Sequence, residues 1–301
     1  MRLVPVRVMW LALPLATGSA ASHAVEGWAG APRVVAIAFL WMSWGIGLVA
    51  LFAPRPAGLT AVRTIAPAFV VLALVAAIWG DASTLATGAA LVGTIVAAAL
   101  VADPEVALAS ANGVAYGDER RNPLRTPPAL YLAPIPIARA VAVAGIVTAP
   151  LLLADERVAW GLVALIGLPL AWLAIRALHT LARRWLVTVP AGVVVVDPMT
   201  LVDPVLVVRK NLRGVRAVDA TAAPVPGAVD LRLGATLGTV EVGIDGSIDV
   251  VRGSRRGRRA DTVRPDALIV AVAGRRELLA RASRGRPNQA AMPPPSSASP
   301  S

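Results

Sequence analysis

Long apolar runs broken by short polar punctuation fill the first 185 residues, and short β-branched runs fill most of the remainder. The uncharged stretches lie near 8–24, 34–52, 64–80, 82–102, 140–154 and 158–175. At 1.5 Å rise per residue, a membrane span needs about 20 mostly apolar residues. The second, fourth and sixth stretches meet that length. The third and fifth reach it by recruiting flanking Thr, Ala and Pro, with Arg63 and Arg139 snorkelling to the interface. The first is the weakest, because Pro14 stands in its middle and Thr17-Gly18-Ser19 follow. The pattern predicts an α-helical transmembrane bundle of about six helices over residues 1–185. Residues 1–24 admit a second reading as a cleavable signal peptide, with Arg2 and Arg7 ahead of an apolar core and Ala20-Ala21-Ser22-His23-Ala24 behind it. Every later connection keeps its side of the membrane in either case.

After Trp185 the period changes. Strands are expected at 185–189, 193–196, 205–208, 229–233, 240–244 and 267–272. Pro190-Ala191-Gly192 suits a tight hairpin, and Asp197-Pro198 and Asp203-Pro204 mark further turns. Residues 275–283 read as a short helix with Leu278 and Leu279 on one side. The segment 284–301 ends in Pro293-Pro294-Pro295-Ser296-Ser297, cannot bury a core and is expected to be disordered. The chain thus divides into a membrane part, 1–185, a small cytoplasmic β-rich domain with a C-terminal helix, 186–283, and a tail.

Composition reinforces this division. Apolar residues reach 56% before glycine is counted and mean hydropathy is +0.68, which excludes an ordinary soluble globule and a disordered chain alike. All eight Trp lie within the first 185 residues, and no aromatic residue follows Trp185. Indoles favour the headgroup level of a bilayer, so the aromatic boundary marks the membrane boundary. The absence of Cys excludes disulfides and thiolate chemistry.

The net charge of +11 is spread over both halves and does not form a basic tail. Its distribution across the connections is uneven. With six spans and the N-terminus inside, the cytoplasmic flanks collect Arg2, Arg7, Arg55, Arg63, Arg120, Arg121, Arg125, Arg139, Arg176, Arg183 and Arg184, against Arg33 and Arg157 outside. Both termini and the region after 185 are then expected to be cytoplasmic. None of the six runs holds a charged residue, which disfavours a proton-coupled transporter. Ala86, Ala90, Gly93 and Ala97 form a small-residue stripe that permits close helix approach, although Ala is abundant throughout. Pro67, Pro150 and Pro169 either break helices around a cavity or kink them against neighbours.

Two polar segments are candidate sites. The connection 103–138 is long and contains Tyr116, Asp118, Glu119, Arg120 and Arg121, then five prolines. Such a loop is functional or disordered. Its acids and arginines form either a polar site gripping a phosphate or carboxylate, or a solvated turn whose arginines meet anionic headgroups for about 1 kcal/mol each. The second segment carries Arg252, Arg255, Arg256, Arg258 and Arg259. It reads as an anionic-lipid contact or as a solvated inter-strand loop. Nucleic acid is not expected, because aromatic stacking platforms are missing. His23 and His179 are the only histidines. No zinc-protease or phosphate-loop motif is present and no Ser has a candidate base. Catalytic residues, metals and cofactors are therefore not expected.

The order of strands and closing helix directly after a final membrane helix, with the segment Val189-Pro190-Ala191-Gly192-Val193-Val194-Val195-Val196-Asp197-Pro198, resembles the bacterial PH-like domains of membrane-anchored proteins. The whole chain is similar to the uncharacterised multi-pass membrane proteins of Arg-rich actinobacteria. These resemblances bring no catalytic residues. They lead to the expectation of a non-enzymatic scaffold or regulatory protein whose partners are membrane lipids and another membrane or cytoplasmic protein. The alternatives are a small-solute permease or transporter subunit, with a cavity near Pro67, Pro150 or Pro169, and a lipid-acting enzyme working through the loop from Asp118 to Arg121.

Overall fold

The computed structural model describes residues 3–219, 226–246, 248–253 and 261–284. The expected disordered tail therefore falls, after Arg284, outside the described residues, as do Arg255, Arg256, Arg258 and Arg259.

The first part is helical: α1 (Val4–Ala24), α2 (Gly30–Phe52), α3 (Pro56–Trp79), α4 (Thr84–Ala102), α5 (Pro104–Asn112), then, after strand β1 (Arg120–Pro123), α6 (Pro134–Ala154), α7 (Val158–Ala164) and α8 (Gly167–Ala182). Counting α7 and α8 as one segment, six of these are long and apolar enough to cross a membrane. Their outward faces are apolar, with Leu15, Val34, Val49, Trp79 and Leu85 exposed. Several helices start earlier than the uncharged runs suggest. Pro56 and Pro134 stand at the first positions of α3 and α6, where a fixed φ favours the helix and the missing N–H costs nothing. The helices therefore carry Arg7, Arg33, Arg63, Arg139 and Arg176 within their bounds, although the uncharged runs exclude them. Between α7 and α8 the chain tightens into i→i+3 bonds, Ile166 N–H to Val163 O and Leu168 N–H to Leu165 O. Pro169 causes this, because its ring crowds the carbonyl four residues back and it has no N–H to offer.

Close packing holds the bundle. Gly145 on α6 faces Gly167 on α8 so closely that a Cβ on Gly145 would lie 2.3 Å from the Gly167 carbonyl oxygen. The stripe on α4 is used: Ala90, Gly93 and Ala97 are buried, and Gly93 lies against Ala16 and Met9 of α1. Pro14 deprives the Trp10 carbonyl of its helical donor. Trp44 Nε1 donates to that carbonyl at 2.9 Å, and Trp10 Nε1 donates to the Trp44 carbonyl at 2.9 Å. Trp10 is 0% exposed, at the centre of the bundle core, so it is not the headgroup anchor that its residue type suggests.

The second part holds β2 (Trp185–Val189), β3 (Gly192–Val196), β4 (Val205–Val208), β5 (Leu212–Ala217), β6 (Ala228–Asp230), β7 (Thr239–Ile244), β8 (Val250–Arg252), β9 (Asp261–Val263), β10 (Ala267–Ala271) and α9 (Arg275–Arg284). One antiparallel sheet runs β1-β2-β3-β4, a second runs β5-β7-β10-β6 with β6 parallel to β10, and β8 pairs with β9. The expected hairpin forms about Pro190 and Ala191. Leu186, Val193, Val195 and Val207 from the first sheet meet Val240, Val242, Leu268 and Val270 from the second, and Leu278 of α9 joins the same core. This core is built from Val, Leu and Ile without an aromatic ring.

Candidate functional site

The helical and β-rich parts meet in a shared junction built largely by residues 103–126. The long connection expected here to be irregular is ordered. Asp103 accepts a hydrogen bond from the Glu105 N–H at 2.7 Å and Pro104 takes the first helical position, so α5 starts with both an N-cap and a proline. Val106 and Ala107 of α5 enter the core of the helical bundle, while Ala111 packs with Trp185 and Val187 of the sheet. Gly113 ends the helix where a Cβ would fall 1.9 Å from the Pro54 carbonyl oxygen, so the close approach to the α2–α3 connection requires glycine.

Beyond α5 the connection becomes a strand. The Asn112 side chain donates to the Arg121 carbonyl at 2.8 Å and accepts from the Arg121 N–H at 3.0 Å, pairing with that peptide as a neighbouring strand would. On its other edge β1 pairs with β2 from Arg120 opposite Thr188 to Pro123 opposite Trp185. Leu124 then bridges to Val272, and Arg125 N–H donates to the Ala271 carbonyl at 2.8 Å. Residues 120–125 are therefore held by both sheets. At the other crossing, α8 ends at Ala182 and β2 begins at Trp185. Arg184 in that short link is not a surface charge at the membrane face, as its place in the charge asymmetry implies. It is buried, with Nε 2.7 Å and Nη2 2.8 Å from the two Asp197 carboxylate oxygens, and it also donates to the carbonyls of Arg125 and Leu231. Asp197 accepts further from Met199 N–H and Thr200 Oγ1.

The sequence-derived candidates do not converge on one point. Tyr116 and Asp118 are exposed. Glu119 pairs with Arg121 at 2.7 Å, and Arg120 donates to the Glu119 carbonyl at 2.9 Å. The Arg121 hydrogen bond, helped by the Tyr116 N–H, holds the Glu119 carboxyl below the usual glutamate range. The Arg121 guanidinium also lies over the Trp185 ring, 5.0 Å from its centroid. Arg252 pairs across the β8–β9 ladder with Asp261, its register partner.

Two cavities open at this junction. One, of about 530 Å³, has walls that include Arg7, Arg120, Arg121 and Arg281 together with Glu105 and Glu277. The other, of about 360 Å³, lies between α3, α4, α6 and α8 and the segments 123–126 and 235–237. It contains Arg63, Arg125, Arg139 and Tyr131, and Pro67 stands on its wall. Arg63 donates long bonds, 3.4 and 3.3 Å, to the carbonyls of Val101 and Ala102 at the end of α4. The Nε atoms of Arg125 and Arg139 are buried without an acceptor. Arg63 and Arg139 thus turn into this cavity instead of snorkelling freely. Their convergence joins positions 76 residues apart, which no sequence spacing expresses. Arg184 had a readable signal, because extending the hairpin register by one residue beyond Trp185 and Val196 sets it opposite Asp197. Among the described residues no group of three or more His, Asp or Glu is placed to hold a metal ion. No protein-family model, curated protein or solved structure matches the chain.

Proposed function

We propose that the protein is a non-enzymatic, multi-pass protein of a bacterial inner membrane, with both termini cytoplasmic, and that its PH-like β-domain organises or regulates a membrane-associated partner. The observation that carries this reading is the junction. Residues 120–125 are strand and core of the β-domain while α5, directly before them, is core of the bundle. A displacement at either end is therefore felt at the other, which is what a regulatory platform needs and a loosely tethered domain lacks. The PH-like assignment rests on two sheets sharing one core with a C-terminal helix. The arginine asymmetry supports the orientation.

Photocrosslinking in cells from the exposed Met199, Val202 and Leu206 of the β-domain tests the reading. One recurrent discrete protein neighbour is expected. Adducts with lipid alone, or with a second copy of the chain alone, overturn it. The place of Pro67 on the wall of the smaller cavity favours a second reading, a small-solute permease. That reading requires solute flux in proteoliposomes.

A further inference from the structure

We propose that the cavity holding Arg63, Arg125 and Arg139 is a binding site for a phosphate-bearing anion, either the headgroup of an inner-leaflet lipid or a free phosphate. This goes beyond the platform reading and stands whether or not a protein partner exists.

The argument begins from charge balance. Three arginines line one cavity, and Arg63 lies within electrostatic range of Arg139. No carboxylate is among the described residues that line it. The residues outside the described set contain no Asp or Glu, so none of their side chains supplies the missing charge. Asp103 is the carboxylate whose field reaches Arg63, but it is exposed and engaged as the cap of α5. The neighbouring cavity has more arginines, yet Glu105 and Glu277 stand among them. Of these two cavities, the smaller collects cations with no carboxylate among its described lining residues.

Hydrogen bonding points the same way. A buried donor left without an acceptor is costly, and here two occur in the same cavity, both guanidinium Nε atoms. Planar forks from three directions match the several oxygens of a phosphate better than the two of a carboxylate. Tyr131 lies within electrostatic range of both Arg63 and Arg139 and offers one more hydroxyl. The rest of the wall includes Leu59, Val101, Ile135, Leu178 and Leu181, which suits the glycerol and first methylenes of a lipid.

The test uses the full chain purified in a neutral detergent at low ionic strength, titrated with inorganic phosphate and, separately, with short-chain phosphatidate. Thermal unfolding and bound stoichiometry are the readouts. One site per chain is expected, with binding weakened about tenfold or more in Arg139→Gln and in Arg125→Gln, and unchanged in Arg281→Gln of the other cavity. Tighter binding of phosphatidate than of phosphate identifies the lipid headgroup as the source, and equal binding identifies a free phosphate. Arg139→Met supplies a readout that a purely structural role does not share. It is expected to raise the unfolding temperature without ligand, since it removes an unsatisfied buried donor, while abolishing the gain from ligand. Absence of saturable binding to the wild-type chain overturns the proposal, as does binding that survives in the Arg125→Gln/Arg139→Gln double variant.

Discussion

In the helical bundle the central polar contact is neutral, Trp10 and Trp44 exchanging indole N–H groups for each other's backbone carbonyl. In the β-domain it is a full ion pair, Arg184 with Asp197, with side chains 1% and 0% exposed. The difference follows from what each region leaves unsatisfied. A helix pairs its own backbone, so at this point the bundle needs outside help because Pro14 strips the Trp10 carbonyl of its donor, and one neutral N–H suffices. At the crossing from α8 to β2 the chain changes structure within two residues, and carbonyls at Arg125 and Leu231 converge on the same spot. A guanidinium with five donors serves them together with both Asp197 oxygens. One region is held by close fit, the other by a charged knot that draws on four segments of chain.

The largest expected effect tests the knot. Arg184→Ala leaves Asp197 buried without its counter-charge and should cost about 3–5 kcal/mol, read as a lowered unfolding midpoint of the full chain in detergent. Arg184→Met combined with Asp197→Leu should recover most of that loss, because a well-packed apolar pair replaces a buried ion pair at little net cost. If the double variant is as unstable as the single one, the four-segment network, and not charge burial, is what matters. That outcome would make the two regions more alike than the contrast allows.

The close-fit side is tested at Gly47. A Cβ there would lie 2.0 Å from Cζ2 of Trp10, so Gly47→Ala must push the indole aside and break both reciprocal bonds. Overpacking of this kind costs about 1–3 kcal/mol. Trp10→Phe removes the ring atoms that clash, so the Gly47→Ala/Trp10→Phe double variant should be less destabilised than the sum of the two singles. Strict additivity would show that the fit at Gly47 is not what holds α1 against α2.

The same contrast explains what the sequence made legible. Elements whose stability lies in their own pattern were readable: the six apolar segments, the hairpin about Pro190, and strands such as 205–208, all found where expected. β1 was not. Its four residues, Arg120-Arg121-Asn122-Pro123, have no β-branched member and end in a proline tolerated only because the strand lies at a sheet edge. Its existence is decided by β2 and by Asn112, not by propensity. α5 could have been read, since Asp103-Pro104 is a helix start and Val106, Ala107, Ser110 and Ala111 share one face. β5 was obscured by Gly214, beside which the ladder to β7 shifts register. The candidate site divides in the same way. Charge counting places Arg63, Arg125 and Arg139 on one side of the membrane, but only the packing of α3 and α6 against the clasped loop brings them into one cavity.

The smallest effect probes the seam between the regions, where an exposed loop meets the first sheet. Glu119 anchors Arg121 beside the Trp185 ring and its carboxyl is held below the ordinary range, first by the Arg121 hydrogen bond. A carboxyl with a depressed folded pKa stabilises the fold fully above its unfolded value of about 4.3. That contribution is lost as pH falls from there through the lower folded value. Glu119→Gln has no such proton to gain. The wild-type chain should therefore be the more stable by about 0.5 kcal/mol at pH 7, and the two unfolding midpoints should converge as the pH falls from about 4.3 through the lower folded value. The β1 edge would then be held mainly by Asn112 and the β2 ladder, neither of which titrates. A constant difference across that range would instead assign the loss to the shape of the Glu119 side chain. The seam would then be closed by fit, as the bundle is, and not by charge, as the domain interior is.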